Sequence, residues 1–290
     1  MASARGRSGE RARSHAERVA GRDGYFPPES VIRRMGSSPL VPLLGGGSAV
    51  LLQVAHPLVA AGVVEHSDYR HDLWKRLLGT LRALYLITFG DKDEANRAGQ
   101  RAQAVHARVH GQTSGQLGVF PAGTAYSASD PALMLWVHAT LVHSSLGIYH
   151  RYVRRLRRDE QEAYYREMTI VARIFGTPSE VIHATLSDFG DYLREQLRGR
   201  EIQVTEPARQ VARVILHAPL PLPLRLLAPA HRLSTTALLP ARLRHEYRLT
   251  WTPARAIALK GAAQSIKLAA IPLFLAAQRI SPPKLVHTGH

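Results

Sequence analysis

The chain has 290 residues, of which 45% are hydrophobic and 21% charged, a composition typical of one large globular domain rather than a disordered protein. It contains no cysteine, which excludes disulfides and thiolate metal sites, so any iron or zinc must be held by His, Asp, Glu or Tyr. The net charge is +16, and much of the positive charge is clustered in residues 5–22 and 151–158. Zinc-finger spacing, heptad zippers and RNP-like aromatic motifs are absent, so we expect no nucleic-acid partner. We interpret the basic segments as solvated faces, with scope for peripheral contact with an anionic membrane.

The predicted organisation is one helical domain over residues 25–280, between an Arg-rich mobile tail (1–24) and a short C-terminal tail (281–290). GGGS (45–48) is interpreted as a flexible entry to the apolar segment that follows it. The composition and the absence of an evident export signal favour a cytoplasmic protein, with some membrane association.

The stretch LLQVAHPLVAAGVVEHSDY (51–69) combines a long apolar run with a polar end. The run from Ala49 to Val64 covers sixteen residues, fewer than the roughly 20 that a membrane-spanning helix needs. We therefore predict a buried helix that breaks at His56–Pro57 and whose EHSD end approaches a ligand pocket.

Apolar residues recur at helical spacing through the remainder of the chain, and no alternating strand pattern stands out. Gly-, Ser- and Thr-rich residues over 112–128 predict a loop, and prolines over 217–232 predict an extended connector. The fold class is therefore predicted to be all-α. The predicted helices are 72–90, 91–111, 130–156, 160–176, 179–199, 205–217, 234–247 and 253–278.

Histidine is the distinctive residue type, with fifteen copies in the chain. A lone histidine on an apolar face is usually a hydrogen-bonded core residue, and this is the simplest interpretation of each one. His106 and His110 are spaced to share one helix face, but Ala107 stands where a zincin would carry its catalytic Glu. The histidines within predicted apolar helices are His56, His66, His106, His110, His138 and His143.

Arg76 and Thr80 also share a helix face, beside apolar Leu77 and Leu84. An arginine and a hydroxyl directed at an apolar interior need a polar or anionic partner to offset their desolvation. The alternative interpretation is an arginine held in solvent at the surface.

A series of sequence blocks resembles one known family, the bacterial and fungal family that includes the oxygenase MpaB and the latex clearing proteins. The resemblance extends from about residue 30 to residue 255. Its blocks, in chain order, are LLQVAHPLVAAGVVEHSDYRHDLWKRLLGTL, FGDKDEA, HARVHG, YSASDPALMLWVHATLVHSSL, YYRE with FGTP, and LLPARLRHEY with LTW.

The resemblance implies an all-helical domain with a globin-like core that binds haem b through a proximal histidine, which falls on His106. It implies that Arg76 and Thr80 line the distal side of the haem, and that a glutamate upstream, at Glu65 or with His66 in its place, acts as the general base. His110 would be an accessory residue. Gly79 and Gln103 replace a lysine and an arginine of the latex clearing proteins, departures that bear on polyisoprene cleavage rather than on haem binding.

The sequence therefore predicts a haem b-dependent oxygenase that uses dioxygen on a hydrophobic, lipid- or terpenoid-like small molecule. Arg76, Thr80 and His66 are the expected catalytic residues, His106 is the iron ligand, and Arg76 and His110 are expected to contact the cofactor. One alternative is a helical haem-binding or membrane-surface module without turnover. A second is a non-haem metalloenzyme that uses His56, His66, His106 and His110.

Overall fold

A computed structural model describes residues 23–66, 73–217 and 222–279, with the backbone alone described at 73–76, 222–224 and 269–279. The predicted tails therefore lie outside these ranges, apart from residues 23 and 24. The fold is all-α, as predicted, with one short antiparallel hairpin. In chain order its elements are α1 Val31–Gly36, α2 Leu40–Val54, α3 Pro57–Glu65, α4 Leu73–Phe89, α5 Lys92–His106, β1 His110–Gln112, β2 Ala125–Ser127, α6 Pro131–Tyr152, α7 Arg158–Ile174, a 3-10 turn Ser179–Val181, α8 Leu186–Arg198, α9 Glu206–Leu216, a 3-10 segment Leu222–Leu227, α10 Ala228–Leu238, α11 Ala241–Glu246 and α12 Pro253–Arg279.

The central element is α2, which packs against both α6 and α10. Its residues Leu51, Leu52 and Val54 belong to the main core, together with Trp136 of α6. The Trp136 indole N–H donates to the carbonyl oxygen of Leu52 at 3.2 Å, which satisfies the polar edge of a fully buried ring. A smaller cluster joins α2, α6, α10 and α12, and its buried members are Leu44, Ile148, Tyr152, Ala230, Leu259 and Ala263.

Glycines permit the close approach of these helices. A side chain added at Gly47 of α2 would overlap Thr235 Oγ1 of α10 and lie 2.8 Å from Cε1 of His231. The GGGS segment is therefore an internal part of a buried helix, and its prediction as a flexible entry was wrong. Tertiary packing outweighs the low helix propensity of glycine here, because only glycine leaves room for the neighbouring helix.

The predicted break at His56–Pro57 is confirmed, since α2 and α3 meet there at 106°. Pro57 occupies the first turn of α3, where its missing N–H leaves no unpaired donor. Among the described residues, α6 is the one helix long and apolar enough to cross a bilayer. Of its apolar window, 56% is buried inside the protein, as in a core helix.

Five predicted segments differ from the structure. The helix predicted over 179–199 begins only at Leu186, and the helix predicted over 234–247 is divided between α10 and α11. The helix predicted over 91–111 ends at His106, and the chain turns into β1. The loop predicted over 112–128 contains β2, which pairs with β1. The extended connector predicted over 217–232 includes the first turn of α10, because Pro229 is accepted at a helix N-terminus.

The contact at Gly47 predicts opposite effects for two adjacent substitutions. We expect Gly47→Ala to lower the free energy of unfolding by about 1–3 kcal/mol, because the methyl group would overpack against Thr235 and His231. Gly46→Ala is the matched control, since no atom lies within 4 Å of its added Cβ. Gly46→Ala should be neutral or stabilising by up to about 1 kcal/mol. Urea unfolding of the three proteins measures both effects, and equal stability of the two variants would contradict this packing.

Candidate functional site

Helices α4 and α5 form an antiparallel pair joined at Gly90–Asp91, and they pack against each other. Asp91 begins α5 with a capping box: its side chain accepts from the backbone N–H of Glu94 at 2.7 Å, and Glu94 accepts from that of Asp91 at 3.1 Å. Because a helix rises about 1.5 Å per residue, Arg76 and His106 both lie about 20 Å from this turn. The α4–α5 pair therefore brings the two positions to the same end of the molecule.

His106 is the last residue of α5 and is half-buried. Its Nδ1 atom is enclosed and has no hydrogen-bond partner among the described residues. Burial lowers the pKa of His106 below its usual value, so the neutral imidazole is the favoured form near pH 7. A neutral imidazole nitrogen is the form that ligates iron.

After His106 the chain makes a tight turn, in which the N–H of Val109 donates to the carbonyl oxygen of His106 at 2.9 Å. Val109 then lies beside Gly62 of α3, where an added Cβ would be 3.3 Å from Val109 Cγ1. The next residues form β1, in which Gly111 pairs with Tyr126 of β2. The hairpin therefore joins the end of α5 to the end of α3.

Tyr126 connects two side chains at the C-terminal end of α3. Its hydroxyl donates a short hydrogen bond to Oε2 of Glu65 and lies 3.1 Å from Nε2 of His66. With the hydroxyl proton directed at Glu65, the phenol oxygen is free to accept a hydrogen bond from the Nε2–H of His66. Tyr126 is buried, whereas Glu65 and His66 are exposed. Burial raises the pKa of Tyr126, and the hydrogen bond to Glu65 raises it further, so the phenol stays protonated.

Gly111 makes this arrangement possible. A Cβ at Gly111 would lie 2.7 Å from the Tyr126 hydroxyl oxygen and 3.0 Å from Cζ, closer than real Cβ atoms approach. Because Gly111 has no side chain, the Tyr126 side chain can pass over it and reach Glu65. This gives a physical reason for glycine in the HARVHG block.

His56 has a structural role at the bend between α2 and α3. Its Nδ1 accepts from the N–H of Leu58 at 3.3 Å, which caps α3, and its ring stacks on Phe120 with centroids 5.5 Å apart. Burial lowers the pKa of His56 to about 4. His56 is therefore a hydrogen-bonded core residue, and its bond is made within its own turn.

Two of the other predicted site residues, Thr80 and His110, are exposed. Thr80 is exposed on α4, and the Arg76 side chain lies outside the described residues. His110 is exposed on β1, so the prediction that it shares a helix face with His106 was wrong because α5 ends at His106. The same pair of helices exposes several large apolar side chains, Leu78 and Tyr85 on α4 and Val105 on α5.

Two further histidines belong to α6. His143 Nε2 lies 3.4 Å from the carbonyl oxygen of Leu238, and His138 is buried with Nε2 unpaired among the described residues. Burial lowers the pKa of His138 to about 4. Within the described ranges, no three His, Cys, Asp or Glu side chains come together in a way that could hold a metal ion. The four histidines of the non-haem alternative thus form no joint ligand set there.

Tyr126 is the site residue that the sequence predictions missed. It lies in the YSASDP block, where the sequence was interpreted as a loop ending in a helix start. The helix start is confirmed: Asp130 accepts from the N–H groups of Ala132 and Leu133 at 2.8 and 3.1 Å. Pairing of the HARVHG and YSASDP blocks, separated by a Gly-rich stretch, is the signal that would have predicted a hairpin.

Comparison with known proteins identifies the family of this chain. The chain matches, over residues 33–268, the family model described as "ER-bound oxygenase mpaB/B'/Rubber oxygenase, catalytic domain". The chain belongs to this family of oxygenase catalytic domains, and the resemblance drawn from its sequence blocks is confirmed.

Two curated mycobacterial proteins are similar to it. Uncharacterized protein Rv2237 of Mycobacterium tuberculosis is 27% identical over 214 residues, which cover 71% of this chain and 80% of that protein. Uncharacterized protein Mb2261 of Mycobacterium bovis matches to the same extent. No solved structure matches the chain.

The buried neutral histidines predict a defined pH dependence of stability. His56 and His138 each have a folded pKa of about 4 against an unfolded value of 6.5, so the unfolded state takes up protons first as the pH falls. We expect the unfolding free energy to decline between pH 6.5 and 4, by up to about 3 kcal/mol for each histidine.

His138→Gln tests this dependence, because glutamine does not titrate. Unfolding in urea at a series of pH values should give a flatter curve for His138→Gln than for the wild type, with the exposed His110→Gln as control. A curve of unchanged steepness in His138→Gln would show that His138 is not held neutral.

Proposed function

We propose that this protein is a haem b-dependent oxygenase that uses dioxygen on a hydrophobic, lipid- or terpenoid-like small molecule. The observation that carries the proposal is the enclosed, unpartnered and neutral imidazole of His106, in a chain that belongs to a family of oxygenase catalytic domains. A buried polar nitrogen without a partner is uncommon, and ligation would satisfy it.

The residues present fit a haem group in three respects. His106 offers a neutral nitrogen ligand at a helix end. The adjoining helices expose Leu78 and Val105, 60% and 52% accessible, which would pack against an apolar porphyrin face. Gly79 has open space where a side chain would begin, so α4 leaves room beside Thr80.

Each residue has a proposed part. His106 would hold the iron, and Arg76 and His110 would contact the cofactor's polar edge. When bound, haem b supplies the iron centre at which dioxygen is activated. Thr80 and Arg76 would direct hydrogen-bond donors at the negative charge that develops on oxygen during the reaction.

Glu65 is proposed as the general base, and Tyr126 as its positioning residue. The Tyr126 hydroxyl donates to Oε2 of Glu65, which fixes one carboxylate oxygen and leaves the other available to take a proton from substrate. His66 lies 3.1 Å from the same hydroxyl and would help to hold it in line with Glu65, and the proton that exposed Glu65 takes up would be released directly to solvent. An apolar substrate has no polar groups that would compete for the hydrogen bonds among His66, Tyr126 and Glu65.

Haem ligation predicts a specific spectral loss. The purified protein should show a Soret band, and His106→Ala should lose it, because the substitution removes the iron ligand. His245→Ala is the control and should keep the band, since His245 is exposed on α11 and has no proposed contact with haem. Circular dichroism verifies that both variants are folded. A His106→Ala protein with stoichiometric haem and an unchanged spectrum would contradict the assignment, and haem without oxygen uptake would favour a binding module.

The Tyr126 contact predicts a coupled loss of turnover. With oxygen uptake measured on squalene or linoleate, Glu65→Gln should lower kcat by about a hundredfold or more, because the base is removed. Tyr126→Phe should lower kcat by about tenfold, the effect of one hydrogen bond, while KM and the haem spectrum stay unchanged.

The double variant separates positioning from general damage. Tyr126→Phe combined with Glu65→Gln should be no slower than Glu65→Gln alone, because the hydroxyl acts through the carboxylate. Tyr85→Phe, on an exposed tyrosine of α4, serves as control. Fully additive losses would show that Tyr126 acts independently of Glu65.

A further inference from the structure

Acidic residues are nearly absent from the C-terminal part of the chain, which leaves its positive charge unbalanced. Residues 207–290 contain twelve Lys and Arg residues and a single acidic residue, Glu246. Glu246 is already engaged: its carboxylate accepts from the N–H of Val204 at 2.8 Å and pairs with Arg242 at 3.0 Å. Most of the net charge of +16 therefore belongs to this part, which includes α10 and α12.

Helix α12 has one buried side and one exposed apolar side. Leu259 and Ala263 are buried in the cluster that joins α12 to α2, α6 and α10. Ile257 and Leu268 remain 69% and 57% exposed. At 100° per residue these two side chains point in nearly the same direction, away from the buried side. The sequence beyond Leu268 continues as AAIPLFLAA and adds no charge before Arg279.

A basic crevice adjoins the exposed side of α12. It is a cavity of about 500 Å³ between α6 and α12, lined by Arg151, Lys260 and Lys267 together with Trp251. Leu226, 90% exposed, precedes α10, the helix against which α12 packs, and Arg225 is exposed beside it. The α12 face is defined here as Leu226, Ile257, Lys260, Lys267 and Leu268.

We propose that the α12 face docks on an anionic lipid bilayer, with Lys260, Lys267 and Arg151 at the phosphate level and Ile257 and Leu268 in the outer acyl region. Apolar side chains that project between cations match the layered chemistry of a bilayer surface. Nucleic acid would leave Ile257, Leu268 and Leu226 without an apolar partner, and a second copy would bring like charges together. The proposal is independent of haem binding.

Vesicle binding of the full-length protein tests the proposal. In co-sedimentation we expect binding to vesicles of phosphatidylcholine with about 30% phosphatidylserine. Binding to phosphatidylcholine alone should be at least about tenfold weaker, because each basic residue near an anionic surface contributes about 1 kcal/mol. Raising the salt from about 0.1 to 0.5 M should weaken binding, because screening shortens the reach of the charges.

Two variants separate the charged and apolar contributions. Lys260→Gln with Lys267→Gln, and Ile257→Ser with Leu268→Ser, should each weaken binding to the anionic vesicles by about tenfold. Arg166→Gln with Arg173→Gln, on the exposed side of α7, is the matched charge control, and Val119→Ser, at an exposed position before β2, is the apolar control. Both controls should bind as the wild type does.

Three outcomes would overturn the proposal. The first is wild-type vesicle binding by both α12 variants, which would transfer the docking to another segment such as 5–22. The second is a dimer in sedimentation analysis that Ile257→Ser with Leu268→Ser dissociates, which would make the face an interface between copies. The third is binding to duplex DNA with none to vesicles.

Discussion

The arrangement of this protein depends on how closely α2 can approach its neighbours. An added Cβ at Gly45 would lie 3.1 Å from Cγ1 of Ile148, and one at Gly147 of α6 would lie 2.5 Å from Cδ2 of Leu238 in α10. Gly47 lies in the same way against Thr235 and His231. At each of these glycines the backbone of one helix packs directly against a side chain of the next, so α2, α6 and α10 lie close together. The bend at His56 then redirects the chain by 106° into α3, which contacts β2 of the hairpin.

Glycines also permit close packing at the end of α3. Gly62 accommodates Val109, and Gly111 accommodates the Tyr126 ring, so the chain after His106 folds back onto α3. Glycine thus determines where a buried tyrosine hydroxyl meets the exposed Glu65 and His66. The proposed iron ligand and the proposed base are thereby connected through one short stretch of chain, from His106 to Gly111.

The helices with regular apolar spacing were predictable from the sequence, and α4, α6 and α7 begin and end close to their expected limits. Features that depend on distant partners were not. GGGS favours a linker by propensity, and only contact with α10 makes it helical. The end of α5 depends on pairing with residues nearly twenty positions later, and Tyr126 gains its importance from a carboxylate 61 residues away in sequence. The roles assigned to His106, Arg76 and Thr80 came from the family resemblance, whose family is confirmed while the roles stay proposals.

The two proposals concern different parts of the chain. The His106 end would carry out oxygen chemistry on an apolar substrate, and the α12 face would hold the protein at a surface where such molecules reside. They rest on different residues and on different physical grounds: an enclosed neutral imidazole on one side, and unbalanced positive charge beside exposed apolar groups on the other.

The central claim is that the iron of haem b is held by His106 at the end of the α4–α5 pair. A crystal structure of the protein saturated with haem b tests it most directly. The account predicts that one imidazole nitrogen of His106 would lie at bonding distance from the iron, and that Arg76 and Thr80 would contact the bound group. Haem ligated by any other residue, or His106 turned away from a bound haem, would contradict the account.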